Sequence, residues 1–99
     1  MLSAEPVSAE DAHRMGLVYK VFDDDSFAVD VAAFAARLAA GPGLAYRLTK
    51  QAVAQSLSND LEKQLDLEAR LQGEAGSSHD FMEGVAAFRE KRPPRFEGR

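Results

Sequence analysis

The sequence predicts an all-α chain of four to five helices with short connections. Two observations carry this. Large apolar residues recur at helical spacing in several stretches. Capping residues, glycines and prolines punctuate those stretches at the places where helices start and stop. The one exception is an extended segment near residues 17–22, Leu-Val-Tyr-Lys-Val-Phe, which is β-rich but has no second strand to pair with. It reads as a linker or as a strand that pairs outside this chain.

Each element follows from its residues. Met1 to Pro6 shows no period and reads as a connection. Ser8-Ala-Glu-Asp11 resembles a capping box with Asp11 in the place of the usual Glu or Gln, opening a short helix from Ala9 to about Met15. Gly16 suits the left-handed residue that ends it. Asp23, Asp24 and Asp25 form an acidic turn, and Asp25 or Ser26 can cap the next helix. Phe27, Val31, Phe34 and Leu38 then recur at i, i+4, i+7 and i+11, until Gly41-Pro42-Gly43 breaks the pattern. A helix from Leu44 to about Leu57 follows. Ser58, Asn59 and Asp60 provide the turn and cap for another, Leu61 to Ala75.

That fourth helix carries an unusual face. At ~100° per residue, Leu61, Leu65, Leu67, Leu71 and Ala75 span an arc of about 160°, and Gln64, Glu68 and Gln72 fall inside it. Two leucine rows flanking a polar stripe suggest two different neighbours meeting at a seam. The plainer account is that these polar groups bond to nearby backbone or water.

The stretch from Ser77 to Arg92 reads as one amphipathic helix. Phe81, Val85 and Phe88 lie at i, i+4 and i+7 on one face. Asp80 and Glu83 sit near its positive end, and Arg89, Lys91 and Arg92 near its negative end. Pro93 and Pro94 are expected to stop it. Gly84 costs about 1 kcal/mol against alanine in a helix interior, which points to something packed closely against the backbone there. The tail, Pro93 to Arg99, is irregular, with Phe96 as its one large apolar residue.

Composition narrows the function classes. There is no cysteine, so disulfides and thiolate metal sites are excluded. Residues 1–88 hold 7 Lys+Arg against 14 Asp+Glu, net −7, while residues 89–99 hold 5 against 2, net +3. The acidic body repels nucleic acid. The basic end could meet a phosphate or simply be a solvated helix end. No apolar run reaches the roughly 18 residues of a membrane span, and the N-terminus lacks the order of a signal peptide, so a cytoplasmic protein is expected.

No active site assembles from these residues. His13 and His79 lack a partner at metal-ligand spacing and read as surface or cap histidines. The aspartates at 23–25 lack the spacing of a calcium loop, and Gly41-Pro42-Gly43 is not followed by the Lys-Ser/Thr of a phosphate loop. No metal and no catalytic residue are assigned.

Four pieces, in order, resemble one known family. Glu83-Gly-Val-Ala-Ala-Phe-Arg-Glu-Lys-Arg92 resembles the C-terminal helix signature of the enoyl-CoA hydratase/isomerase (crotonase) superfamily. Pro6-Val-Ser-Ala-Glu-Asp-Ala12 and Gly16-Leu-Val18 are similar to the segment that follows its catalytic core, and Leu48-Thr-Lys50 to a recurring Thr-Lys. Asp60 to Glu68, Ala75-Gly76 and Pro94-Arg-Phe-Glu-Gly-Arg99 look most like the phenylacetate-degradation branch, the ring-epoxide phenylacetyl-CoA isomerases.

The resemblance covers essentially the whole chain, so residues 1–99 are expected to form a single C-terminal helical domain. It implies that the family's ββα core, which carries the oxyanion hole and the acid/base carboxylates, is not in this sequence. The parent enzyme would act on a coenzyme A thioester as substrate, with no tightly bound cofactor, while this chain would be inactive by itself. Its role would be to complete an acyl-CoA pocket and to self-associate, as a trimer in the parent and as a dimer or trimer alone. By match to the signature, Phe88 would pack near the acyl-CoA and Lys91 would approach a CoA phosphate. The residues alone leave Phe88 open to being plain core and Lys91 to being a solvated lysine. The rival reading is an autonomous helical protein-interaction module.

Overall fold

The computed structural model describes residues 4–99. It contains five helices: α1 Ala9–Arg14, α2 Phe27–Ala39, α3 Gly43–Ser56, α4 Leu61–Gly76 and α5 His79–Glu90. No strand occurs among the described residues, so the chain is all-α as expected. No single helix among them is long and apolar enough to cross a membrane. The chain divides into two compact units, residues 1–35 and residues 36–99.

In the first unit, the Ser8 hydroxyl accepts the Asp11 N–H at 3.1 Å and starts α1. Gly16, at φ +77°, takes the left-handed position after it, as expected. Residues 17–22 form no strand. Aromatic contacts hold them instead: Tyr19 stacks on Phe34 with ring centres 5.5 Å apart, Phe22 meets Phe27 edge-on at 6.3 Å, and the Lys20 ammonium lies 4.6 Å over the Phe22 ring. Such contacts contribute of the order of 0.5–1.5 kcal/mol each. His13 Nδ1 lies 3.2 Å from the Val18 carbonyl oxygen, a bond that requires the proton on that nitrogen. Ser26 stands at the start of α2, where its hydroxyl donates to the Asp30 carboxylate at 2.7 Å.

The second unit holds the core. Ala52 meets Gln64, and Arg47 meets Glu74, so α3 and α4 run antiparallel. Leu48 from α3 and Leu67 and Leu71 from α4 are buried together, with Leu44, Ala52 and Ala75 packed around them. Burying each leucine contributes about 1.5–3 kcal/mol. Asp60 caps α4. Its carboxylate accepts the Lys63 N–H at 2.9 Å and pairs with the Lys63 ammonium at 2.7 Å, and these bonds hold its pKa below the ordinary carboxylate value.

The fourth helix has two neighbours, α3 and α5, but they do not take one leucine row each. Leu67 and Leu71 are buried, whereas Leu61 and Leu65 stay exposed. The polar stripe is satisfied partly within the chain. Gln64 donates to the Ala52 carbonyl and to Glu68 (3.3 and 2.7 Å) and accepts from Asn59 at 3.0 Å.

Two expectations about the last helix need correction. It ends at Glu90, not Arg92. Lys91 adopts the left-handed conformation, φ +55°. The Lys91 N–H bonds to the Phe88 carbonyl (3.3 Å) and the Arg92 N–H to the Ala87 carbonyl (3.0 Å), the two bonds of a Schellman closure. The chain has therefore turned before either proline is reached, and Lys91 does not continue the helical row of Phe88.

The buried face is also displaced. Asp80 and Ala87 are buried and Gly84 is half-buried between them. That is the i, i+4, i+7 spacing, shifted by one residue from Phe81, Val85 and Phe88. Phe81 and Phe88 are exposed instead. Small residues carry the buried row because the C-terminal tail packs there, with the Phe96 ring over Gly84. A Cβ at residue 84 would lie 3.7 Å from that ring, an ordinary contact.

Candidate functional site

The last helix and the tail that folds back along it define the candidate site. Ser78 fixes where α5 begins: its hydroxyl accepts the Phe81 N–H at 3.0 Å and donates to the Ala75 carbonyl at 2.6 Å. Beyond the Schellman closure the tail returns toward the start of the helix. Glu83 binds Arg92 through both carboxylate oxygens, at 2.6 and 2.9 Å, and accepts the Arg95 N–H at 2.7 Å. Asp80, one turn nearer the helix start, accepts the N–H groups of Glu97 and Gly98 at 2.7 and 2.9 Å.

This packing leaves an apolar groove of about 550 Å³. Pro42 lines it from just before α3, Ala45 from α3, Ala75 and Gln72 from α4, and Asp80, Phe81, Gly84, Val85, Phe88 and Arg89 from α5; Phe96 lines it from the tail. Its surface is suited to an apolar or flat partner, with the Gln72 amide and the Arg89 guanidinium as polar points. Phe88 stands at its edge, 85% exposed, so within this chain it is not core. Lys91 is exposed and is not among the lining residues. The structure thus places Phe88 on the groove and Lys91 outside it.

Sequence reasoning missed Asp80, Glu83, Arg89 and Phe96 as parts of the site. The available signal was the row Asp80, Gly84 and Ala87, which has helical spacing but lacks large apolar residues.

The Glu83–Arg92 pair makes a pH prediction. Arg92 first, and then the Arg95 N–H, hold the Glu83 carboxyl at about 2, below its ordinary 4.5. The same pair raises the Arg92 guanidinium. A carboxylate with a depressed folded-state pKa stabilises the fold above its unfolded pKa and loses that contribution as pH falls through the folded one. The tail contact at residues 92–95 is therefore expected to weaken between about pH 4.5 and 2. Carboxyl titration by NMR checks this; a Glu83 midpoint near 4.5 would show that the pair is not held in solution.

The comparisons with known proteins agree with this architecture. The enoyl-CoA hydratase/isomerase family profile matches residues 1–99. A Rhodobacter capsulatus protein named "Probable enoyl-CoA hydratase" is 54% identical over 98 residues, covering 99% of this chain and 38% of that protein. The 1,2-epoxyphenylacetyl-CoA isomerase of Escherichia coli is 42% identical over 98 residues, covering 99% and 37%. The crystal structure of an enoyl-CoA hydratase from Polaromonas sp. JS666 superposes with a TM-score of 0.90 at 29% identity, covering 98% of this chain and 38% of that one. The chain thus spans a little over a third of the length of these relatives. With a full-length profile match and a shared helical architecture, it belongs to the enoyl-CoA hydratase/isomerase family.

Proposed function

We propose that this chain is the C-terminal helical part of an enoyl-CoA hydratase/isomerase family enzyme, inactive alone, which completes an acyl-CoA pocket and supplies oligomer contacts. The observation that carries this reading is Phe88: a large ring, 85% exposed, on the rim of an apolar groove. A ring in that position serves a partner or ligand better than it serves this chain. The parent substrate is a coenzyme A thioester, and the compartment is the cytoplasm. Within the family, the motifs at residues 60–68 and 94–99 and the 42% identity to the E. coli isomerase favour a ring-epoxide phenylacetyl-CoA. The 54% identity to the R. capsulatus protein favours plain enoyl-CoA hydration.

The test is Phe88→Ala in the assembled enzyme. An aromatic contact of about 0.5–1.5 kcal/mol corresponds to a KM increase of roughly 2- to 12-fold. Melting temperature should hold, because substitutions at exposed sites usually stay within about ±0.5 kcal/mol. An unchanged KM would remove Phe88 from the pocket.

Self-association has its own support. Leu57, Leu61, Leu65, Val53 and Phe81 are all exposed, and uncovered apolar surface drives closed dimers or trimers. Sedimentation of the 99-residue chain at high micromolar concentration should show such a species; a clean monomer would count against it.

A further inference from the structure

Asp80 borders the groove, yet it is a carboxylate only 3% exposed whose hydrogen bonds all go to the tail rather than to the open face. Its two oxygens accept the Glu97 and Gly98 N–H groups, and its own N–H donates to the Arg99 carbonyl at 3.0 Å. Glu83 holds the other end of the tail through Arg92 and the Arg95 N–H. Phe96 lies between the two anchorages, over Gly84. An ionised carboxylate that accepts backbone N–H groups makes strong, short bonds. If those donors left, the buried charge would lose its compensation. The grip on residues 95, 97 and 98 is on main chain, so it fixes where the tail runs rather than which side chains it carries. Gly98, at φ +79°, is the exception, since that conformation favours glycine.

We propose that residues 92–99 form a strap latched to α5 at two points, Asp80 and Glu83, and that Asp80 is the positioning residue that seats Phe96 as one wall of the apolar groove. The latches differ in kind. The Glu83–Arg92 pair is partly exposed (side chains 15% and 37%) and open to screening. The Asp80 latch is buried and its hydrogen bonds come from neutral backbone N–H groups, with His79 Nδ1 farther off at 3.8 Å. High salt therefore loosens residues 92–95 first and leaves residues 97–98 held. The strap is a property of this chain whether or not the groove takes acyl-CoA.

The experiment is amide hydrogen exchange and NMR on the full 99-residue chain, comparing wild type, Asp80→Ala and Gly98→Pro. Gly98→Pro removes one donor from the exposed tail, cannot adopt positive φ, and leaves α5 untouched. In both variants, exchange at Glu97 should accelerate at least tenfold and the Phe96-to-Gly84 NOE should disappear. The α3 and α4 amides around Leu48, Leu67 and Leu71 should stay protected. If Asp80→Ala also exposes those core amides, Gly98→Pro alone decides. A Phe96-to-Gly84 NOE that survives Gly98→Pro would overturn the proposal, as would a wild-type Glu97 amide that exchanges at the random-coil rate.

Discussion

Leu71→Ala is expected to destabilise the chain by about 2–5 kcal/mol, the range for truncating a buried leucine. Leu71 is 4% exposed and shares a three-leucine core with Leu48 and Leu67. A domain of this size has roughly 5–15 kcal/mol of stability, and so few buried large residues place this one toward the low end. The substitution should leave much of the chain unfolded under conditions where the native form persists. Leu65→Ala, on the same helix, is the control. Leu65 is 57% exposed, so its loss should stay within about ±0.5 kcal/mol in a monomer. Chemical denaturation of both variants measures the difference. Equal effects in a monomeric sample would mean that the two leucine rows of α4 are buried alike, and the assignment of one row to α3 would fail; a large Leu65 effect confined to an associated sample would instead place that row in the oligomer contact.

The sequence specified more of the helices than of the packing between them. Local chemistry was enough for Ser8, Gly16, Asp60 and Ser78, because a cap or a left-handed turn is made by residues within a few positions of one another. Periodicity located α2 to α5 for the same reason. It does not settle which face of α5 is buried: Phe81, Val85 and Phe88 share the apolar face, and amphipathicity alone points that face toward a core. That inference assumes that every large apolar residue finds a neighbour in its own chain. Phe81 and Phe88 do not, and the row that is buried, Asp80, Gly84 and Ala87, owes its burial to contacts reaching as far along the chain as Gly98 and Arg99. Glu83, Arg92 and Arg95 were visible as charges near helix ends, but their pairing depends on the left-handed turn at Lys91. A lysine at such a position carries no sequence signal, since glycine is the usual choice there.

The resemblance to the family was legible from short motifs, and the full-length profile match agrees with it. The roles of Phe88 and Lys91 were not legible in the same sense. In the proposed function their partners lie outside this chain, so neither burial nor bonding within it can define them. The structure does sharpen the choice among the basic residues. Arg92 is committed to Glu83 and Glu90 and Arg99 to Glu97, whereas Arg89, Lys91 and Arg95 form no ion pair among the described residues; of these, Lys91 is the one the family signature assigns to a phosphate.

Lys91→Ala in the assembled enzyme is therefore the sharpest test of a phosphate contact. A charged hydrogen bond contributes about 1.5–3 kcal/mol, so losing one should raise the acyl-CoA KM by roughly 10- to 150-fold. The turnover number should hardly change, because a contact remote from the reacting atoms is the same in the ground and transition states. The left-handed conformation of Lys91 makes the choice of substitution matter. Alanine carries the same Cβ penalty as lysine, so Lys91→Ala should leave melting temperature unchanged. Lys91→Gly should relieve that penalty, on the order of 1 kcal/mol, and raise stability while showing the same KM increase. The pair of variants separates lost binding from altered backbone. An Arg92 variant could not, since it would also break the Glu83 anchorage of the tail. If KM is unchanged in both Lys91 variants, the lysine has no phosphate to hold, and its left-handed position serves only to turn the chain into the tail.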